Sequence, residues 1–166
     1  IFMSKPRLRF RQVIFMLLSI LIMILIFYFS SENADDSTTS SNFIVDFIVN
    51  VFFPKMNTYP INKQADLLDT IEFAVRKAAH FSIYAALGFC ISGTFRKFKL
   101  KSKNTLITVL SCFIYACSDE FHQSFSPGRA PAFRDVMIDT GGGFFGIICF
   151  SLIVTVFRKI HNHKAA

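Results

Sequence analysis

The stretch that decides the fold is TLITVLSCFIYACSDEFHQ, residues Thr105 to Gln123. Its first 13 residues form an apolar run, and the six that follow include two carboxylates, a histidine and a glutamine. A transmembrane helix needs about 20 mainly apolar residues, so this segment spans a membrane only if its polar end also lies at membrane depth. The number of spans in the whole chain depends on that choice.

The composition indicates a membrane protein. The chain has 166 residues, enough for a single domain, and is 52% hydrophobic with 22 Phe. Three further apolar runs are Val13–Phe29, Ala78–Phe95 and Val136–Phe157. With Thr105–Cys117 as the fourth, we predict an all-α polytopic four-helix bundle. Its one domain covers residues 1–166, with spans at about 12–30, 76–95, 104–122 and 135–157 and an outer loop at 31–75.

Basic residues mark one side of this predicted bundle. Twelve of the 18 Lys and Arg flank the spans at the ends that would share one side, which the positive-inside rule assigns to the cytoplasm. Both termini are therefore predicted to be cytoplasmic, in a bacterial cell membrane, with the functional face on the outer side. The net charge of +7 then reflects topology, so nucleic acid is not an expected partner. These flanks contain Lys5, Arg7, Arg9, Arg11, Arg96, Lys97, Lys99, Lys101, Lys103, Arg158, Lys159 and Lys164.

The segment between the first two spans contains a second kind of apolar stretch. Ser30–Asn42 is polar and is interpreted as a loop, while Phe43–Phe53 is apolar but too short to span. Asp46 and Asn50 lie one helical turn apart and give it one polar stripe. The pattern predicts an interfacial or re-entrant helix in the first outer loop. Asn62 is then predicted as the N-cap of the helix that continues into the second span.

Two common alternatives are not favoured by the sequence. The first apolar run is longer than the core of a signal peptide, and the following SSENADD offers no A-x-A cleavage site, so a retained anchor is expected. The four cysteines all lie in apolar runs without C-x-x-C spacing, which indicates packing residues rather than a zinc site or disulfides. No cofactor is predicted.

Ionisable residues fall at one depth in three of the predicted spans. His80 and Asp119 each lie 16 residues, roughly 24 Å, from the basic flank of their own span, and Asp139 lies 19 residues, roughly 28 Å, from its flank. Charges at this depth usually face the bundle interior and find partners there. The sequence therefore predicts one polar layer near the outer surface. Gly142 and Gly146, just inward, predict close packing of the fourth span against a neighbour.

Two blocks of this region resemble a known family. RKAAHFSIYAALGF and SDEFHQSFSPGRAPAFRDVMIDTGGGFFG contain R-K-x-x-H, D-E-x-H-Q, P-G-R and D-x-x-x-D-x-x-G in order. The chain resembles the VanZ-like family of small bacterial membrane proteins from about Arg76 to Gly146. The family's named member is associated with low-level resistance to teicoplanin, a lipoglycopeptide. The resemblance implies a cell-envelope protein that engages a lipid-linked cell-wall precursor or a lipoglycopeptide in addition to membrane lipids.

On the matching positions, the resemblance implies two groups of functional residues. A catalytic group would comprise His80, Asp119, Glu120, His122 and Asp139, and a ligand-binding group would comprise Arg76, Lys77, Gln123, Arg129 and Asp135. The leading hypothesis is capture of an anionic headgroup by the cations among them, with arginine supplying a bidentate fork. Histidine with Asp or Glu could also hold a divalent metal, but no metal is predicted, because neither H-E-x-x-H nor a comparable ligand spacing occurs.

Two alternative functions stay open at this point. Histidine beside a carboxylate suits general acid or base chemistry, as in an interfacial hydrolase or transferase acting on a lipid-linked or phospholipid substrate. The polar layer could instead serve only to hold the helices together, in a protein with a structural role or one that binds a partner protein. Interhelical polar contacts contribute only about 0.6 to 2 kcal/mol each. The layer contains more ionisable residues than holding the helices together requires, which favours a functional site.

Overall fold

The computed structural model describes residues 10–31, 34–95, 98–125 and 131–164. Within these ranges the chain is helical, with no strand, so the prediction of an all-α fold is confirmed. Four helices contain the four predicted spans, and α2 with one short 3-10 turn lies between the first two. The elements are α1 Phe10–Ser30, α2 Ala34–Phe52, the 3-10 turn Met56–Thr58, α3 Ile61–Thr94, α4 Lys103–Gln123 and α5 Phe133–Lys164.

The long helices pack side by side in alternating directions. Helices α3 and α5 run parallel at the centre, since Phe81 lies against Gly142 and Ala85, one turn on, against Gly146. Helix α1 packs antiparallel on α3, α4 packs antiparallel on α5, and α2 contacts α3. One end of the bundle therefore contains the start of α1 and the other its end at Ser30.

Two of the described helices are long and apolar enough to cross a membrane by length and composition: α1, and α5 over Phe133–Asn162. Large apolar side chains point outward from both, as a lipid-facing surface requires. Helices α3 and α4 carry more polar residues and do not meet that criterion among the described residues. Examples of the outward-facing residues are Leu17, Ile24, Phe145, Leu152 and Val156.

The segment 31–75 is more helical than its composition indicated. Helix α2 begins at Ala34, so the interpretation of Ser30–Asn42 as a loop is wrong over most of its length. Asp46 and Asn50 are both exposed on α2, as the predicted polar stripe requires.

The start of α3 also differs from the prediction. The helix begins at Ile61 with Pro60 at its N-cap position, so Asn62 as the N-cap is wrong. Pro60 has an extended backbone, and its carbonyl accepts the backbone N–H of Gln64 at 3.0 Å, which closes the first turn. Proline needs no partner for its own nitrogen, and a helix start is therefore one of the places that tolerate it.

The interior of the bundle has two hydrophobic clusters. One contains Tyr84, Leu87 and Cys112, and lies just below the residues predicted to form a polar layer. The other is an aromatic cluster at the opposite end, built on Phe98, Ile147 and Phe150. All four cysteines are free; Cys90 and Cys112 are buried, whereas Cys117 is exposed.

Candidate functional site

Three long helices each contribute one ionisable residue to a common cluster. His80 comes from α3, Asp119 from α4 and Asp139 from α5, and one nitrogen or oxygen atom from each lies within 4.8 Å of the other two. His80 Nδ1 is 3.7 Å from Asp139 Oδ2. Asp119 and Asp139 are 3% and 2% exposed, while the His80 side chain is 22% exposed. We call these three residues the polar cluster. The structure thus brings together the residues that depth counting placed in one layer.

Glycines set the distance between α3 and α5 next to this cluster. A Cβ atom on Gly142 or Gly146 would lie under 3.0 Å from the carbonyl oxygen of Phe81 or Ala85, and one on Gly143 would lie 2.8 Å from Cys112 Sγ. Real Cβ atoms essentially never approach so closely, so only glycine fits here. The predicted close packing at Gly142 and Gly146 is confirmed, and it holds His80 against Asp139.

Asp119 is supported by a hydrogen-bond chain from α4 to α1. Gln123 Nε2 donates to Asp119 Oδ2 at 3.0 Å and to Ser30 Oγ at 3.2 Å. Ser30 also hydrogen-bonds the Asp119 carboxylate. Gln123, one of the predicted site residues, therefore orients Asp119. Sequence reasoning missed Ser30, although it is the polar residue that directly follows the apolar run Val13–Phe29. In the structure Ser30 is the last residue of α1 and is fully buried.

Glu120 and Asp135 have partners of their own beside the cluster. Glu120 Oε2 accepts the backbone N–H of Ala132 at 3.0 Å, and so fixes the residue that precedes α5. Asp135 forms an ion pair with Lys77 and a longer one, at 3.9 Å, with Arg134. Lys77 is therefore already paired with a carboxylate, which weakens its case as an anion-binding group.

The remaining predicted residues lie in different surroundings. His122 faces α1, where its Nε2 lies 3.0 Å from Ser31 Oγ and its ring stacks on Phe27 with centroids 4.3 Å apart. Arg76 is half-buried on α3, one turn before His80. Arg129 lies outside the described residues. His122 is therefore a contact between α4 and α1.

Comparison with known protein families assigns the chain to one of them. The family model described as VanZ/LLP1 matches residues 15–154. The chain belongs to the VanZ/LLP1 family. Searches of curated proteins and of solved structures found no match. The match confirms the resemblance seen in the two sequence blocks and extends it to α1 and α2. Family membership and the two long apolar helices make this VanZ/LLP1 chain a membrane protein.

One further residue of this VanZ/LLP1 protein faces the polar cluster. Tyr84 lies one turn after His80 on α3 and is 0% exposed. Its phenol is close enough to Asp119 and Asp139 to interact with both electrostatically. Among the described residues, its hydroxyl has no hydrogen-bond partner. Arg76, His80 and Tyr84 are each four positions apart in the sequence, a spacing that puts all three on one face of a helix.

Proposed function

We propose that the protein is a multi-pass bacterial cell-envelope protein, with four spans and both termini in the cytoplasm. Its polar cluster would face the outer leaflet and engage the headgroup of a lipid-linked cell-wall precursor or a lipoglycopeptide. The observation that carries the proposal is the convergence of His80, Asp119 and Asp139 from three helices. Ionisable residues inside a membrane cost free energy, and they commonly have a functional role there.

The orientation is supported by the charges at the two ends of the helices. Lys103 begins α4, and Asp119 lies near the other end of the same helix. Arg158 lies near the end of α5, whereas Asp139 lies near its start. The positive-inside rule puts the lysine and arginine ends in the cytoplasm, and the polar cluster consequently on the outer side.

Headgroup capture would use three cationic side chains. Arg76, Lys77 and Arg129 are the residues proposed for it. The Lys77 ammonium would have to exchange Asp135 for the ligand, because the two form an ion pair. A guanidinium has five donors in a planar fork, so an arginine can bind a phosphate or carboxylate while keeping another contact. The arginines are therefore the stronger part of this proposal.

A specific observation favours a second function, that of an interfacial hydrolase or transferase. The buried carboxylate of Asp139 lies 3.7 Å from His80 Nδ1 and would orient the partly exposed imidazole of His80. A histidine held by a carboxylate is a common general base or acid. This function predicts that a lipid-linked or phospholipid substrate accumulates when His80 is replaced, which mass spectrometry of lipid extracts would detect.

The test pairs two measurements on His80→Gln and Asp119→Asn: the yield of folded, membrane-inserted protein and the teicoplanin susceptibility of the cells. Loss of resistance at unchanged yield is expected, because the cluster acts on a ligand. The control is His161→Gln, an exposed histidine near the far end of α5. Resistance that falls only in proportion to yield would mean that the polar layer merely pins the helices. His122→Gln is expected to lower yield more than specific function, because His122 contacts α1.

A further inference from the structure

The polar cluster has the ligand types of a metal site. It presents an imidazole nitrogen and two carboxylate oxygens within 4.8 Å of one another. Zinc with bonds of 2.0–2.1 Å in a tetrahedral arrangement separates neighbouring ligand atoms by about 3.3 Å. The closest pair, His80 Nδ1 and Asp139 Oδ2, is already at 3.7 Å. The widest-spaced pair therefore needs to draw together by up to about 1.5 Å, a movement on the scale of side-chain rotation.

The charge of the cluster also favours a cation. Asp119 and Asp139 are almost completely buried, and burying a carboxylate is costly unless its charge is balanced. His80 supplies one positive charge at most. Lys77 is paired with a different carboxylate, that of Asp135. Gln123 and Ser30 supply hydrogen bonds to Asp119 but no charge. A divalent ion would balance both carboxylates at once.

The buried hydroxyl of Tyr84 is a second and independent observation. It has no hydrogen-bond partner among the described residues, although buried polar groups are nearly always bonded. It lies one turn from His80 and beside both aspartates. A water or other ligand completing the coordination of an ion at the cluster would give this hydroxyl its partner.

We infer that His80, Asp119 and Asp139 bind a divalent transition-metal ion, with Tyr84 facing its remaining coordination position. One imidazole with two carboxylates suits zinc or manganese better than calcium, which takes six to eight oxygen ligands, or magnesium, which prefers oxygen and water. Gln123 and Ser30 then act as outer-shell groups that hold the Asp119 carboxylate in place. The inference does not depend on the identity of the proposed headgroup ligand.

The sequence could not show this site by local spacing. Its three residues are separated by 39 and 20 positions and come from three helices, so no short motif connects them. The prediction of no metal considered only local ligand patterns such as H-E-x-x-H. Packing of α3, α4 and α5 creates the ligand set.

The experiment uses full-length protein purified in detergent without a histidine tag. The protein is stripped with a chelator, incubated with zinc or manganese, and freed of unbound metal. Elemental analysis is expected to find about one ion per chain, and thermal unfolding should shift upward with the metal and back with chelator. His80→Gln and Asp139→Asn should each lower occupancy by more than about ten-fold. His161→Gln, which replaces an exposed histidine near the far end of α5, is the control and should keep its ion.

Three results would overturn the inference. The first is wild-type protein that retains no metal after incubation and shows no shift in unfolding temperature. The second is occupancy that stays the same when His80 or Asp139 is replaced. The third is equal loss of metal from His161→Gln, which would indicate nonspecific binding to histidine. If a cluster variant does not fold, the wild-type metal and chelator comparison still decides the question.

Discussion

At the end of the bundle where α1 begins, Phe150 of α5 packs edge-to-face against Phe15, Phe89 and Phe98, with centroids 5.2 to 6.0 Å apart. At the other end, the same α3 and α5 meet through His80 and Asp139. The aromatic end stabilises the fold through dispersion and ring geometry, and it needs no counter-charge. The polar end holds buried charge, which costs free energy unless a partner balances it. The difference indicates that the aromatic end serves stability, and it supports the proposal that function belongs at the polar end.

The largest expected effect comes from separating α3 and α5, which would disturb both ends at once. Gly146→Leu places side-chain atoms where the carbonyl of Ala85 lies. We expect a loss of more than about 3 kcal/mol in the free energy of unfolding, because overpacking forces the backbones apart. The measurement is unfolding temperature and monodisperse yield in detergent.

Gly141→Ala is the matched control for the contact between α3 and α5. A Cβ at Gly141 would meet only the edge of the Phe81 ring, at an ordinary 3.9 Å, so near wild-type stability is expected. A stable, monodisperse Gly146→Leu protein would contradict the claim that close approach of the two helices sets the spacing at the polar cluster.

The next effect should be confined to the aromatic end. Phe150→Ala removes a ring that is 5% exposed and is expected to cost about 3 kcal/mol in the free energy of unfolding. Teicoplanin resistance per folded molecule should not change, because Phe150 lies far along α5 from Asp139. Phe157→Ala, on a residue 69% exposed, is the control and should cost less than about 1 kcal/mol. A specific loss of resistance in Phe150→Ala would break the proposed division between the two ends.

The smallest of the three effects tests the charge at the polar end. Lys77→Met leaves the Asp135 carboxylate without its main partner and should cost about 2 kcal/mol, less than a fully buried pair, because both side chains keep some exposure. The double variant Lys77→Met with Asp135→Leu should recover most of that loss, since it removes both charges. Chemical denaturation of the four proteins forms a double-mutant cycle. A double variant less stable than the single one would show that the ion pair is not what Lys77 contributes.

The sequence predicted the helices and the shared depth of His80, Asp119 and Asp139, because both follow from hydrophobic run lengths and the rise per residue of a helix. It did not predict which way each side chain faces. His122 follows Asp119 by three positions, yet it faces α1 rather than the cluster, since rotation about the helix axis depends on how neighbouring helices pack. The pairing of Lys77 with Asp135 needed the register between α3 and α5, which no local pattern contains.

The length of α3 has a consequence for how the polar cluster can respond to its surroundings. Its 34 residues extend over about 51 Å, well beyond a hydrocarbon core of about 30 Å. The helix is continuous from Ile61 to Thr94, and α2 packs against it. His80 therefore lies on a continuous rigid helix that α2 also contacts, so a displacement of α2 would be transmitted along α3 to the buried carboxylates.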